Sequence, residues 1–158
     1  MAKSKSPKRA TPSETVRQVL KDGGLKLEKL EGRTGYSVAL GDELYAGATA
    51  HVLEEQGQFV FYVEYREKAP KKNHPQVAEF ITRANYGILI GNFEMNHDDG
   101  SVRYKSSVDY EGTVLTYELV RNAVLAARNG NEEYGSALVE VMKGSKSAKK
   151  AIAEVEAE

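Results

Sequence analysis

Three histidines, His51, His74 and His97, are the first residues to test for chemistry, because an imidazole can move protons or hold a metal near neutral pH. No two of them stand in an HxxxH or HExxH spacing, which would bring both rings onto one helix face. The sequence therefore places His51 at the surface, His74 at a helix start and His97 in a turn. The acidic turn Asn96-His97-Asp98-Asp99-Gly100, with Glu94 nearby, offers oxygen ligands for a cation. It lacks the alternating acids and distal bidentate glutamate of a calcium loop, so it reads as a plain hairpin turn. Fourteen glycines invite a phosphate-loop reading, yet neither GxGxxG nor GxxxxGKS/T occurs. Gly23-Gly24 follows a helical pattern, where a phosphate cradle would precede one, and reads as a helix cap. No GxSxG elbow pairs a serine with a base. The chain has no cysteine, which excludes disulfides, thiolate catalysis and Cys-held zinc or iron–sulfur centres. The expectation is a protein with no catalytic residues, no metal and no cofactor.

Two binding features remain. Nine tyrosines without a tryptophan could stack on bases, but Tyr65, Tyr104 and Tyr110 fall on apolar strand faces and read as core. The other feature is charge. Residues 1–10 hold Lys3, Lys5, Lys8 and Arg9 and no acid, while the whole chain has a net charge of −1. Removing those four leaves 18 basic against 23 acidic residues, so residues 11–158 have no overall attraction for nucleic acid or an anionic membrane. The arm has no apolar pattern and is expected to be disordered and not a secretory signal, since it lacks an apolar h-region. At 158 residues and 41% hydrophobic content the composition is that of one globular domain. No apolar run is long enough to cross a membrane. A cytoplasmic location is expected.

The elements that must position these residues are marked by punctuation. Thr11-Pro12-Ser13-Glu14 is a capping box, Val16, Val19 and Leu20 follow at helical spacing, and Gly23-Gly24 ends the helix. Leu25–Glu28 and Tyr36–Leu40 alternate on either side of a turn at 32–35. Leu44–Glu54 and Gln58–Arg66 form a hairpin, with Phe59, Phe61, Val63 and Tyr65 on one face. A second helix starts at Asn73-His74-Pro75 and closes between Asn85 and Gly87. Strands Ile88–Met95 and Ser101–Tyr110 follow, then a helix from about Thr113 to Arg128. Asn129-Gly130-Asn131 is expected to break that helix from a further one over Glu132–Met142. The expected fold is α+β, an antiparallel sheet of about five strands with helices on one face, in the order α-β-β-β-α-β-β-α-α. The domains expected are a disordered arm over 1–10, one α+β domain over 11–142, and a Lys/Glu-rich tail over 143–158 that is a frayed helix or disordered.

The run Phe80-Ile81-Thr82-Arg83-Ala84-Asn85-Tyr86-Gly87 leads into Ile90-Gly91-Asn92-Phe93-Glu94 and then Asp99-Gly100-Ser101-Val102-Arg103-Tyr104. A helix ending near Arg-x-Asn, a strand with a small residue before an aromatic, and an Asp-Gly turn into an aromatic strand resemble the YbjN family of bacterial sensory transduction regulators. The family's closing pair of helices has its counterparts in Val114–Ala127 and the segment around Tyr134-Gly135-Ser136-Ala137-Leu138. The resemblance covers about three quarters of the chain. It implies a fold like that of type III secretion chaperones, small protomers that dimerise and bind other proteins, and it brings no catalytic residues.

If Phe59 and its alternates face the helices, Val60, Tyr62, Glu64 and Arg66 face outward, joined by Arg103, Lys105 and Asp109 from the last strand. Apolar and aromatic groups ringed by charge suit a protein contact, so Val60, Tyr62, Arg66, Arg103 and Lys105 are the candidate interaction surface. The expected function is a non-enzymatic protein-binding module, forming a homodimer and engaging another, unidentified protein. The alternative is a nucleic-acid-associated protein using the basic arm and exposed tyrosines. Because the arm has no apolar pattern with which to join the core, deleting residues 1–10 is expected to leave the melting temperature nearly unchanged. A differential scanning measurement showing a drop of more than a few degrees would mean that the arm packs on the domain.

Overall fold

The computed structural model describes residues 9–157. The expected arm over 1–10 therefore falls almost wholly outside the described residues. Among those residues there are four α-helices, α1 (Pro12–Asp22), α2 (His74–Gly87), α3 (Tyr117–Lys143) and α4 (Ala148–Val155). They enclose six strands: β1 (Lys26–Lys29), β2 (Gly35–Ala39), β3 (Tyr45–Leu53), β4 (Gln58–Tyr65), β5 (Asn92–Met95) and β6 (Val102–Asp109). All neighbours pair antiparallel in the order β1-β2-β3-β4-β6-β5. The count is six, one more than expected, because both alternating runs before β3 form strands, paired from Lys26↔Ala39 to Lys29↔Tyr36.

Period 2 sorts the sheet into two faces. Phe59, Phe61, Val63 and Tyr65 are buried with Ala48, Ala50, Val52, Val102 and Tyr104 under the helices. Val60 and Tyr62 lie on the opposite, half-exposed face. The β3–β4 hairpin keeps strict register from Gly47↔Glu64 to Leu53↔Gln58, and a bulge at Tyr45/Gly47 ends it. α1 begins as its sequence dictates. Thr11 Oγ1 accepts from the Glu14 amide at 3.2 Å and Glu14 Oε2 accepts from the Thr11 amide at 2.7 Å, while Val16, Val19 and Leu20 are buried.

Two expectations are overturned. The break at Asn129-Gly130-Asn131 does not occur, and α3 runs unbroken from its Thr116 cap to Gly144. The residues that read as a breaker are instead those on which the helix touches the sheet. A Cβ on Gly130 would lie 2.5 Å from a ring carbon of Tyr104, and one on Gly135 would lie 2.9 Å from the Tyr65 hydroxyl. Glycine is what allows helix and strand backbones to come this close. Asn131 between them donates from Nδ2 to the Ala127 carbonyl at 2.7 Å, and its Oδ1 accepts from the Tyr65 hydroxyl at 2.7 Å. Both halves of this amide are satisfied inside the core, so asparagine does not unwind the helix here.

The tail over 143–158 likewise does not fray through its length. Ser147 caps α4, whose Ala148, Ala151 and Ile152 are buried against α2 and α3. The Ala148 amide donates to Gln76 Oε1 of α2 at 2.8 Å. Only two larger apolar residues are present, but alanines at the contact let the helix approach closely and bury its backbone face. The domain therefore extends to Val155.

Gly130→Ala tests the close approach. Helix propensity alone would favour the alanine by about 1 kcal/mol. Tyr104 is fully buried, however, and its hydroxyl is anchored to the Ile90 carbonyl at 2.7 Å, so the ring cannot swing away. Overpacking of this kind costs about 1–3 kcal/mol, so urea denaturation is expected to show a net loss of stability. A stabilised variant would show that α3 is not held by this contact.

Candidate functional site

The structure brings four of the five candidate surface residues together. On the outer face, Tyr62 pairs across to Lys105, and Glu64 to Arg103, while Val60 lies opposite Ser107. The Arg103 guanidinium carbon stands 4.0 Å from the centre of the Tyr62 ring, a cation–π contact. His51 of β3 meets the same tyrosine edge-on, with ring centres 5.7 Å apart. Burial, then Arg33, holds the His51 imidazole below its usual range, which favours its neutral form. Glu94 of β5 completes the cluster, binding Arg103 at 2.8 Å and also Lys105. Burial alone would raise the Glu94 carboxyl, but hydrogen bonds from Lys105 and Arg103 outweigh it and hold the group below the usual carboxylate range.

Arg66, the fifth residue, is used elsewhere. Its Nε donates to the Glu43 carbonyl at 3.1 Å and a terminal nitrogen donates to the Tyr45 carbonyl at 2.9 Å. It fastens the entry to β3 and is not available as a free anchor. The outer face around Tyr62 is thus half-apolar, with Arg103 and Lys105 both paired to Glu94.

The most exposed of the large apolar side chains lie at the end of α2 and in the turn from it to β5. Tyr86 is 96% exposed, Leu89 97% and Ile90 59%. The sequence reading assigns Ile88–Met95 to one strand, which would have sent alternate members into the core. β5 instead begins at Asn92, after Gly91 turns the chain at φ 83°. The signal was present in the sequence: Tyr86-Gly87-Ile88-Leu89-Ile90 is apolar without a period of 2 or 3.6. Just before it, Asn85 plays a second role. Its Oδ1 accepts from the Phe93 amide at 2.8 Å and its Nδ2 donates to the Phe93 carbonyl at 3.0 Å. β5 is an edge strand, and this side-chain amide occupies the position where a further strand would pair.

The remaining sequence candidates have structural work. His74 is buried at the start of α2, with Nε2 3.0 Å from the Ala69 carbonyl and its ring 6.0 Å from that of His97. In the turn at 96–100, Asn96 Oδ1 accepts from the Asp98 amide at 2.9 Å. Asp99 binds Lys68 and both the amide and hydroxyl of Ser101, which hold its carboxyl well below the usual range. Among the described residues, no group of three or more His, Asp or Glu side chains is placed to hold a metal ion. Among those same described residues, no helix is long and apolar enough to cross a membrane. Of the nine tyrosines, Tyr36, Tyr65, Tyr104, Tyr110 and Tyr134 are buried, and Tyr86 alone is freely exposed.

Comparison with known proteins adds to this geometry. Residues 12–140 match the family YbjN, described as "Putative bacterial sensory transduction regulator". No curated protein matches the sequence. Among solved structures, the chain is similar to YbjN from E. coli, described as "a putative transcription regulator". The TM-score is 0.58 at 18% identity, over 75% of this chain and 84% of that one. It is also similar to a chain of the ExsC–ExsE complex, with a TM-score of 0.57 at 17% identity, over 80% of this chain and 92% of that one. At these identities the likeness establishes the fold, the α+β, type III secretion chaperone-like architecture expected from the sequence.

Asn85→Ala is expected to release the Phe93 amide, while the Phe93 carbonyl keeps the Asn92 Nδ2 donor at 3.2 Å. Hydrogen exchange should show lost protection at the Phe93 amide, with a stability cost of about 1–3 kcal/mol for the unpaired group. Unchanged protection would mean that something other than Asn85 closes this edge.

Proposed function

The chain belongs to the YbjN family, and from that premise we propose that it is a non-enzymatic protein-binding module of a bacterial regulatory system, working in the cytoplasm as a homodimer. The observation that carries this reading is the cluster of Tyr86, Leu89 and Ile90. These three side chains lie within five residues of one another and are largely exposed, and neighbouring exposed apolar groups suit an interaction site, because their burial is the largest favourable term available to association. The ExsC–ExsE structure is a complex of two proteins, and the likeness of this chain's fold to one of its chains supports the same reading.

The patch also suits a second copy of this chain. Glu79 and Arg83 precede Tyr86 on the same stripe of α2, paired with each other at 2.8 Å. A rim with one acid and one base is self-complementary, as a two-fold contact requires. Because Asn85 closes the β5 edge, the contact runs through side chains and not through a continued sheet. The sequence alone places this interface on the outer sheet face, but Val60 and Tyr62 there are half-buried, whereas Tyr86 and Leu89 are almost wholly exposed. The nucleic-acid alternative draws less support, since one free tyrosine makes no stacking platform.

Sedimentation equilibrium at micromolar concentration tests the proposal. The expected mass is twice 17.4 kDa, reduced towards the monomer by Leu89→Asp, which would desolvate a charge on closing the interface, and retained by Tyr62→Asp. A monomer at every concentration would overturn the dimer, and the reverse ranking of the two variants would put the interface on the sheet face. A photoreactive residue at position 89 in cells should give protein adducts that resist nuclease. Adducts lost on nuclease treatment would overturn the protein-binding reading.

A further inference from the structure

α3 does not close on the sheet along its whole length. It is drawn tight where Gly130 and Gly135 meet Tyr104 and Tyr65, but towards the β2–β3 connection a cleft of about 480 Å3 opens between helix and strands. Its apolar lining is Leu25, Leu40, Leu44, Phe61, Val63 and Val124. Phe61 and Val63 belong to the buried core, whereas the leucines and Val124 are half-buried, so the cleft reaches from the core to the surface. A volume of this size lies in the range of ligand sites, roughly 300–1,000 Å3.

The polar end of the cleft holds Asp42, Tyr45, Arg128 and Glu132. Arg128 and Glu132 satisfy each other at 2.7 Å. Asp42 Oδ1 accepts from the Leu44 amide at 2.8 Å, which shapes the lip of the cleft, while its charge has no cationic partner among the described residues. One acid is therefore in excess at the mouth. Tyr45 reports the same field: burial first, then Asp42, and less strongly Glu132, push its phenol up, while a hydrogen bond with Tyr65 works in the opposite direction.

We propose that this cleft is a docking pocket for a short segment of a partner protein that presents a bulky aliphatic or aromatic side chain followed by lysine or arginine. The apolar walls would bury the anchor, and Asp42 at the mouth would receive the cation. A free small molecule needs most of its surface engulfed, which half-exposed walls do not supply. A side chain entering from a bound segment needs only its own tip covered, and its backbone can remain at the lip. The inference rests on reading the chain as a protein-binding module, but it uses none of Tyr86, Leu89 or Ile90 and does not depend on the dimer.

The test is a titration of the isotope-labelled full chain with the peptide acetyl-Gly-Leu-Lys-Gly-amide, read by amide chemical shifts. Saturable shifts are expected at residues 40–45 and 124–136. Binding should fall about fivefold when glutamate replaces the peptide's lysine, the factor that one exposed ion pair supplies, and at least as much when alanine replaces its leucine. Asp42→Asn keeps an acceptor for the Leu44 amide, and is expected to erase the preference for lysine over glutamate while leaving the preference for leucine. Val124→Trp, which fills the cleft, should abolish the shifts. Should that variant fail to fold, Asp42→Asn carries the test alone. Absence of shifts in this region, or equal response to all three peptides, would overturn the pocket. Shifts confined to residues 86–90 would also overturn it, while leaving the protein-binding reading in place.

Discussion

The hydroxyl of Tyr65, buried beneath α3, must have a partner, and most of the helix layer follows from where that partner is. Its acceptor is Asn131 Oδ1, and the same asparagine returns its amide to the helix backbone. An unpaired buried phenol would cost about 1–3 kcal/mol, so helix and sheet cannot slide past each other cheaply. Burial also pushes the Tyr65 phenol far above its usual range, and it remains a neutral donor at any physiological pH. With α3 pinned at this point, the small residues on either side must face the two rings beneath them. Further along the same face Tyr134 meets Phe93 and Phe80 edge-on, with ring centres 6.3 and 6.4 Å apart, which ties α2 and β5 to the helix.

This arrangement divides the surface into parts with different chemistry. The sheet face away from the helices is covered by partners drawn from within the chain, Arg103 over Tyr62 and Glu94 between two cations. Exposed ion pairs of this kind contribute little to stability, about 0–1 kcal/mol each, but they remove free charge from the face. The α2–β5 turn and the cleft beside α3 are left with apolar groups whose burial nothing inside the domain completes. The domain thus pairs charge on its sheet face and keeps its most exposed apolar side chains beside the β5 edge.

Where local rules set the outcome, the sequence was readable. The capping box of α1, the β3–β4 hairpin and the inward alternation of Phe59, Phe61, Val63 and Tyr65 depend on neighbours within a few residues, and they lie where periodicity puts them. Period 2 also assigned Val60, Tyr62, Arg103 and Lys105 to one face correctly. It could not show that Arg66, in phase with them, would turn to the Glu43 and Tyr45 carbonyls. Asn129-Gly130-Asn131 reads as a breaker because intrinsic propensity disfavours all three residues in a helix, and only the aromatic rings of distant strands explain their presence. α4 was underrated for a related reason: alanines contribute little to an apolar count, yet they let two helices come together. Ile88–Ile90 was assigned to a strand because an apolar run carries no mark of whether anything covers it.

The Asn85 side chain closes the β5 edge with one acceptor and one donor, and that division of labour is chemically fragile. An asparagine side chain ages by losing its nitrogen and becoming aspartate. The acceptor towards the Phe93 amide would survive, but the donor towards the Phe93 carbonyl would be replaced by a second acceptor carrying negative charge. Two oxygens would then face each other at the rim of the sheet, beside the most exposed leucine of the domain. Slow deamidation at this position, with no change of fold elsewhere, would uncover a strand edge next to an apolar patch, the combination from which ordered aggregation starts. Asn92 Nδ2, 3.2 Å from the Phe93 carbonyl, would then remain its donor.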